Sequence, residues 1–541
     1  MVVDEVSTSQ HTKQTRETLE DYTLRFAPRS YRRWKPGVVA SSALGGIAYL
    51  ADFSIGAGIG LSYGTLNALV AILVAALIIF TTGLPLAYYG ARYNIDLDLV
   101  TRGAGFGYYG SVLTSMIFGS FTFIFFATEG AIMAQGLKVG VGVPLWLGYL
   151  ITTLIVVPLV IHGMKALSKL QVWTTPVWLL LMIGPLGYLV IADPGSVSDW
   201  LAFTGSEGGG AGLNAGSVML GAGVALSLMA QIGEQVDYLR FMPPRTEENK
   251  RSWWMSVVLA GPGWVVFGAL KQATGAFLAV YIMGLAGAAA TEPVQQFMNV
   301  YGLFMPLAVA IPLAVVLVVI SQVKINVTNA YSGSLAWTNS FTRITGHYPG
   351  RTVFVLFNLG VALALMEANM FAFLSSILSF YANCAIAWVV TVATDILVNK
   401  FVLKLSPREP EFRRGMLHAV NPVGVVSFLA SAITSIAMYF GAFGTTLQPY
   451  SPIAAVAIAV VLTPVMAIAT GGRYYLRRTD DGIDEPRFDS HGTPVDTTYT
   501  CHVCEQDFER PDMLACYAHD AVICSLCVTT DRTGQHLLPA Q

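Results

Sequence analysis

The sequence predicts an all-α protein that crosses a membrane many times and carries a small cysteine-rich module near its C-terminal end. Three observations predict it. Of the 541 residues, 54% are hydrophobic and only 12% are charged, whereas a soluble domain carries about 25% charged residues. Twelve apolar runs alternate with polar loops, and runs of about 20 apolar residues match a hydrocarbon core of about 30 Å. Five of the six cysteines fall between Cys501 and Cys527, inside a polar tail.

The elements follow in order. Residues 1–37 are polar and charged with no apolar h-region, so we expect a cytoplasmic N-terminal segment and no cleavable signal peptide. Spans are expected at 38–62, 67–90, 108–136, 144–161, 173–192, 213–236, 255–284, 303–331, 352–373, 375–399, 420–443 and 450–471, which makes 38–471 one membrane domain. The cut between the ninth and tenth is the thinnest, at Phe373–Leu374. Basic residues occupy every second loop: Arg25 to Lys35, then Arg92 and Arg102, Lys165 and Lys169, Arg240 to Arg251, Arg343 and Arg351, Lys400 to Arg414, and Arg473 to Arg478. The opposite loops hold little beyond Lys138. The positive-inside rule then places both termini in the cytoplasm of a cell inner membrane. Net charge is −2 and gives no sign of a nucleic-acid partner.

Glycines interrupt span one at Gly45-Gly46 and Gly56-Ala57-Gly58-Ile59-Gly60, and span six at Gly221-Ala222-Gly223. Spans one and six are five apart, as an inverted repeat of five helices requires. Two readings fit: broken helices around a midplane site, or glycines that let helices pack closely.

Ionisable groups at bilayer depth are costly and mark function. Asp52, Glu129, Lys271, Lys324 and Glu367 lie within spans, and span six ends with Gln231, Glu234, Gln235 and Asp237. We expect Lys324 to pair with Glu129 or Asp52 near the midplane, because an isolated buried ammonium would neutralise or draw in water. For Asp237, beside Arg240 at a cytoplasmic end, snorkelling is the simpler reading. Phe121, Phe123, Phe125 and Phe126 precede Glu129. They suit either a stacking surface for a flat ring or ordinary core and lipid contact.

In the tail, 472–499 reads as a linker and 500–541 as a module. Cys501-x2-Cys504 and Cys524-x2-Cys527 are separated by 19 residues, the spacing of a two-knuckle tetrahedral Zn2+ site. Four thiolates would close the site, making it structural. Cys516, His502, His519 and His536 are alternative ligands, and redox chemistry of a CxxC pair is a further alternative. Cys384, alone in span ten, reads as a small buried hydrophobe.

Several segments together resemble the nucleobase–cation symporter-1 family, the purine and cytosine permeases. They are Asp21 to Ser30 ahead of Arg33-Trp34, Gly56 to Tyr63, Arg102 to Gly107, Asp237-Tyr238-Leu239-Arg240-Phe241, Asn329 to Leu335 before Trp337-Thr338-Asn339, and Asn421-Pro422-Val423-Gly424. The resemblance covers roughly residues 15–470. It implies a leucine-transporter-type five-plus-five repeat with two added helices. A small heterocycle would lie between spans one, three, six and eight, coupled to Na+ or H+ by alternating access. By register it places ring stacking on Phe125 and hydrogen bonding on Glu129. It puts a span-six contact near Ser227–Gln231, and substrate or ion contacts among Ser321, Asn326, Thr328 and Asn329. The chain departs from the pattern at Phe125, where Trp is common, at Glu129, usually uncharged, and at Asp52 and Lys324. Asp52, Glu129, Lys324, Ser321 and Thr328 are therefore the coupling candidates, with the Lys324 ammonium able to stand in for sodium. The alternative is a transporter-like receptor that reports occupancy through the tail to a cytoplasmic signalling protein. No P-loop, nucleophile elbow or HExxH motif suggests an enzyme.

Overall fold

Each expected span coincides with helix in a computed structural model of the chain, which describes residues 23–161, 164–206, 212–483, 498–516, 520–532 and 534. Among these residues, nine helices are long and apolar enough to cross a membrane: Thr65–Tyr93, Gly110–Val141, Ala166–Ala192, Ala215–Leu239, Lys250–Thr291, Leu307–Thr345, Met370–Val402, Pro422–Tyr439 and Gln448–Thr470. Pro36–Ala48 and Ala51–Tyr63 form a tenth, bent by 50°. The expected fourth and ninth spans are helices of 17 residues, Leu145–Ile161 and Arg351–Glu367. At 1.5 Å per residue each reaches only about 25 Å, the short limit for a crossing. Length and composition alone thus single out ten spans among the described residues, with these two helices at the lower limit. Glu367 closes its helix at an exposed position.

Span one breaks just after Gly45-Gly46. Residues Gly46–Ala48 form a single 3-10 turn, Tyr49 is extended, and helix resumes at Ala51. The other glycine run, Gly56 to Gly60, stays helical. A Cβ on Gly56 would lie 1.8 Å from the Gln272 carbonyl, and one on Gly275 would lie 2.2 Å from the Phe53 carbonyl. These glycines let spans one and seven touch backbone to backbone. Both sequence readings thus apply, to different glycines. Span six is likewise interrupted by a 3-10 turn at Ser227–Ala230, between Ala215–Leu226 and Gln231–Leu239. That turn lies after Gly221 to Gly223, which are helical.

Buried guanidiniums fasten the loops on the basic side. Arg343 donates to Tyr108 O and Ser111 Oγ, both at 2.6 Å, and to Ser115 Oγ at 2.7 Å. Arg102 reaches Phe412 O at 3.0 Å and Asn339 Oδ1 at 2.9 Å. Arg240 reaches Tyr331 Oη at 2.8 Å and Asp96 at 3.5 Å. Each buried fork is held by acceptors it could not find in lipid.

The tail folds as two antiparallel ribbons and one turn of helix. Strand β1 (Tyr499–Thr500) pairs with β2 (Asp507–Phe508), β3 (Met513–Cys516) pairs with β4 (Ala521–Cys524), and Ser525–Thr530 is helical. Its small core holds Ile483, Cys501, Met513, Leu514, Cys516, Ile523, Cys524 and Val528. The module rests on the basic face. Arg413 donates to Met513 O at 2.6 Å, Arg414 to Val528 O at 2.9 Å, and Tyr108 Oη lies 2.9 Å from Thr529 Oγ1. Residues 473–483, expected to be linker, are pinned as well. The Arg477 amide donates to Met416 O, and Asp481 pairs with Arg413 and Arg510. Ion pairing and burial of Ile483 override the linker-like composition here.

Candidate functional site

The interrupted helices meet span three, span seven and span eight at a buried polar centre. Glu129 is fully buried in span three, one turn after Phe125, whose ring centroid lies 4.5 Å from that of Phe121. Neither Glu129 carboxylate oxygen has a hydrogen-bond partner in the protein. The Gln322 amide and the backbone N–H of Ala51 point toward it, and Asp52 and Lys271 lie within electrostatic reach. Both polar atoms of the Gln322 side chain also lack a partner, as do Asn326 Nδ2 and Asn329 Oδ1. Such groups rarely stay unpaired inside a protein, and their convergence marks a place where something else supplies donors and acceptors.

Span eight carries two polar stripes, separated by helical periodicity. Gln322, Asn326, Asn329 and Gly333 follow one face, and this face meets span three: Gln322 approaches Glu129, and Gly333 abuts Thr122. Asn329 Nδ2 donates to Asn326 Oδ1 at 3.3 Å. Ser321, Lys324 and Thr328 follow the other face. Ser321 Oγ donates back to Leu317 O at 2.7 Å. Thr328 Oγ1 lies 3.0 Å from Tyr238 Oη and packs on Gly46 at the span-one break. The residues expected to touch substrate and those expected to bind the coupling ion therefore face different neighbours.

Lys324 does not pair with Glu129 or Asp52. Its ammonium turns to span five, donating to Gln171 O at 2.8 Å, Thr174 Oγ1 at 3.0 Å and Thr175 Oγ1 at 2.9 Å. The Gln171 amide returns a bond to Lys324 O at 2.8 Å. The reason is register: position 324 lies on the stripe opposite Gln322, so its chain leads away from span three. The partner of Asp52 is Lys271 of span seven, 2.9 Å away, while Gln272 Nε2 donates to the second carboxylate oxygen at 2.8 Å. The sequence marks Lys271 as ionisable at mid-span but does not join it or Gln272 to Asp52. The backbone contact at Gly56 and Gly275 brings them together, and only the GxxxG-like spacing in span one hinted at it. On span six, Gln231 Nε2 donates to Glu234 Oε2 at 2.5 Å. Gln322, whose amide approaches Glu129, carries no separate signal in the sequence.

A sequence model for permeases of cytosine, purines, uracil, thiamine and allantoin matches residues 27–404. The chain belongs to that family. Its members are transporters, not enzymes, and this chain is a polytopic secondary transporter of the nucleobase–cation symport type. Among solved structures, Mhp1, a nucleobase-cation-symport-1 family transporter in a closed conformation with bromovinylhydantoin bound, is similar over 84% of this chain and 96% of its own, with TM-score 0.63 at 16% identity. Its inward-facing form is similar over 84% and 98%, with TM-score 0.56 at 17% identity. A substrate-bound, outward-open Na+-coupled sialic acid symporter is similar over 84% and 93%, with TM-score 0.55 at 12% identity. At these identities the likeness shows the fold, a helical repeat around interrupted spans one and six. None of the curated proteins matches the chain significantly.

In the tail, Cys501, Cys504, Cys524 and Cys527 offer four sulfurs within 4.8 Å of one another. Cys504 Sγ and Cys524 Sγ are 3.9 Å apart. A tetrahedron with metal–sulfur bonds of about 2.3 Å has edges of about 3.8 Å, so the set fits a metal ion. Cys516 ends β3, paired with Ala521, and is outside this cluster. The His502 amide donates to Val522 O. His519 and His536 lie outside the described residues.

Proposed function

We propose that the chain carries a flat, amide-bearing heterocycle of nucleobase or hydantoin type across a cell inner membrane by alternating access, with both termini cytoplasmic. The observation that carries this reading is the set of unpartnered buried polar atoms on Glu129, Gln322, Asn326 and Asn329 beside the Phe125 ring. A planar ring that presents N–H donors to the Glu129 carboxylate and C=O and N–H groups to the three amides would satisfy them together. Phe125 would supply the stacking face, and Gln231 would line the span-six side. Family membership and the ligand of Mhp1 support this substrate class. Coupling belongs to Na+ or H+, with Asp52, Glu129, Lys324, Ser321 and Thr328 as its residues.

The test is thermal stabilisation of the purified protein against nucleobases, hydantoins and vitamin-like heterocycles. A compound should raise Tm for the wild type and fail to do so for Glu129→Gln. Losing one buried charge-assisted hydrogen bond weakens binding by about 1.5–3 kcal/mol, or roughly 10- to 150-fold. A panel without a hit, or a hit indifferent to Glu129→Gln, removes the reading.

For the tail we infer a structural Zn2+ on the four cysteines, supported by their geometry and by a core too small to fold unaided. Its contacts run back onto the permease itself. Glu509 accepts from the Arg29 amide at 2.7 Å and pairs with Arg32 at 3.1 Å, and Arg25 lies over the Phe508 ring. This favours a brace on the segment leading into span one over a module that signals to a cytoplasmic partner.

A further inference from the structure

The broken first span exposes backbone carbonyls, and a side chain from span seven fills the gap. In an unbroken helix the carbonyl of Ile47 would accept from the amide of residue 51, and that of Tyr49 from the amide of Phe53. The 3-10 turn and the 50° bend release both, and the Phe53 amide bonds Leu50 O instead. Lys271 Nζ donates to Ile47 O at 2.6 Å and to Tyr49 O at 2.9 Å, and it pairs with Asp52 Oδ2 at 2.9 Å. The Tyr49 ring centroid lies 3.8 Å from the same nitrogen. The ammonium thus donates to two carbonyls and lies in ion-pair contact with one carboxylate, and the side chain is only 5% exposed.

Two helix-break carbonyls and a carboxylate form the hard-oxygen shell that an alkali or alkaline-earth cation takes. Carbonyls unwound at a transporter midplane are the usual place for a coupling cation. A free sodium ion does not fit here, because the nitrogen already stands at the centre of the shell. We propose that Lys271 is a tethered cation: its ammonium permanently occupies a cation position at the span-one break, so this position takes no sodium from solution.

The inference rests on the transport reading only for its consequence. A cation bound to the chain cannot be released at the far side, so no sodium would be co-transported through this position. It assigns Lys271 a positioning role, holding the break and Asp52 in the geometry that faces Glu129. Lys324 is not this cation, since its ammonium is held by span five and touches no carbonyl of span one.

The proposal predicts a gained sodium dependence. Wild type, Lys271→Ala and Asp52→Asn/Lys271→Ala would be melted in detergent without substrate, in NaCl and in choline chloride at equal ionic strength. Lys271→Ala should be less stable than wild type in choline. In sodium its folded-to-unfolded ratio should rise about tenfold per decade of sodium above the dissociation constant, beyond any response of the wild type. The double variant, with the carboxylate removed, should lose that added response. Lys271→Ala answering sodium no more than wild type overturns the proposal, as does a wild-type sodium response that Asp52→Asn alone, melted in the same way, abolishes. If Lys271→Ala does not accumulate as folded protein, Lys271→Gln carries the same comparison, since its amide can still satisfy one carbonyl. No substrate enters the assay, so failure of the heterocycle panel and failure of this proposal are separate results.

Discussion

Replacing Gly56 by alanine tests how backbone packing builds the polar centre. A Cβ there would sit 1.8 Å from the Gln272 carbonyl oxygen. Ordinary contact needs about 3.4 Å or more, so spans one and seven would have to part by about 1.5 Å. The obstacle is backbone, so no side-chain rotamer relieves it. Overpacking typically costs about 1–3 kcal/mol, and a rigid backbone clash belongs at or above the top of that range. A gap of 0.5–1 Å already forfeits roughly a quarter to a half of the dispersion energy along a seam. We therefore expect about 3 kcal/mol or more of destabilisation, roughly a 150-fold fall in the folded-to-unfolded ratio. The internal control is Gly58→Ala, two residues on in the same helix. Its Cβ would meet only Ser375 Oγ, at 4.0 Å, and alanine in a helix gains about 0.5–1 kcal/mol over glycine. Thermal unfolding of the detergent-solubilised protein should thus shift in opposite directions for the two variants. Equal shifts, or a Gly56→Ala protein as stable as wild type, would refute the packing argument. The separation should also draw Gln272 and Lys271 away from Asp52, so a surviving Gly56→Ala should lose ligand stabilisation as well.

Two further outcomes concern the tail. Removing metal with a chelator, or the substitution Cys501→Ser, should expose residues 498–532 to limited proteolysis while the membrane domain stays resistant; an unchanged digestion pattern would argue against a metal-held module. Docking of the module should also weaken as pH rises. Burial pushes the Asp512 carboxyl up to about 7, against the pull of Arg25, the Phe26 amide and Arg413 and with the push of Glu509. A carboxyl whose pKa is raised by folding contributes stability that is full below its unfolded value of about 3.9 and is lost as pH climbs through the folded value. Between pH 6 and 8 the docked population should fall by roughly tenfold relative to the undocked one. Protease protection of the tail at pH 6 and pH 8 reads this directly, and Asp512→Asn should flatten the difference. A wild type protected equally at both values would contradict it.

The membrane class was legible in the chain because lipid imposes a one-dimensional rule. Each crossing needs its own apolar run, so spans can be read without knowing any contact. The cysteine pairs were equally local: two tight turns fix two thiolates each, whatever the rest of the protein does. The family segments added the register that set Phe125 and Glu129 one turn apart on span three. The partner of each buried charge was not legible. Asp52 and Lys271 stand more than 200 residues apart, and the glycine contact between spans one and seven brings them to 2.9 Å. Lys324 looked like the natural counter-charge, and only its rotation about span eight sends it to Gln171 and Thr174 instead. The same holds for 473–483, where composition suggested a linker and ion pairing pinned the segment. Sequence determined which segments enter the membrane and which atoms are too polar to rest there. The tertiary structure decided which of those atoms meet, because pairing across helices depends on rotation and distance of approach, and neither is written in any single run of residues.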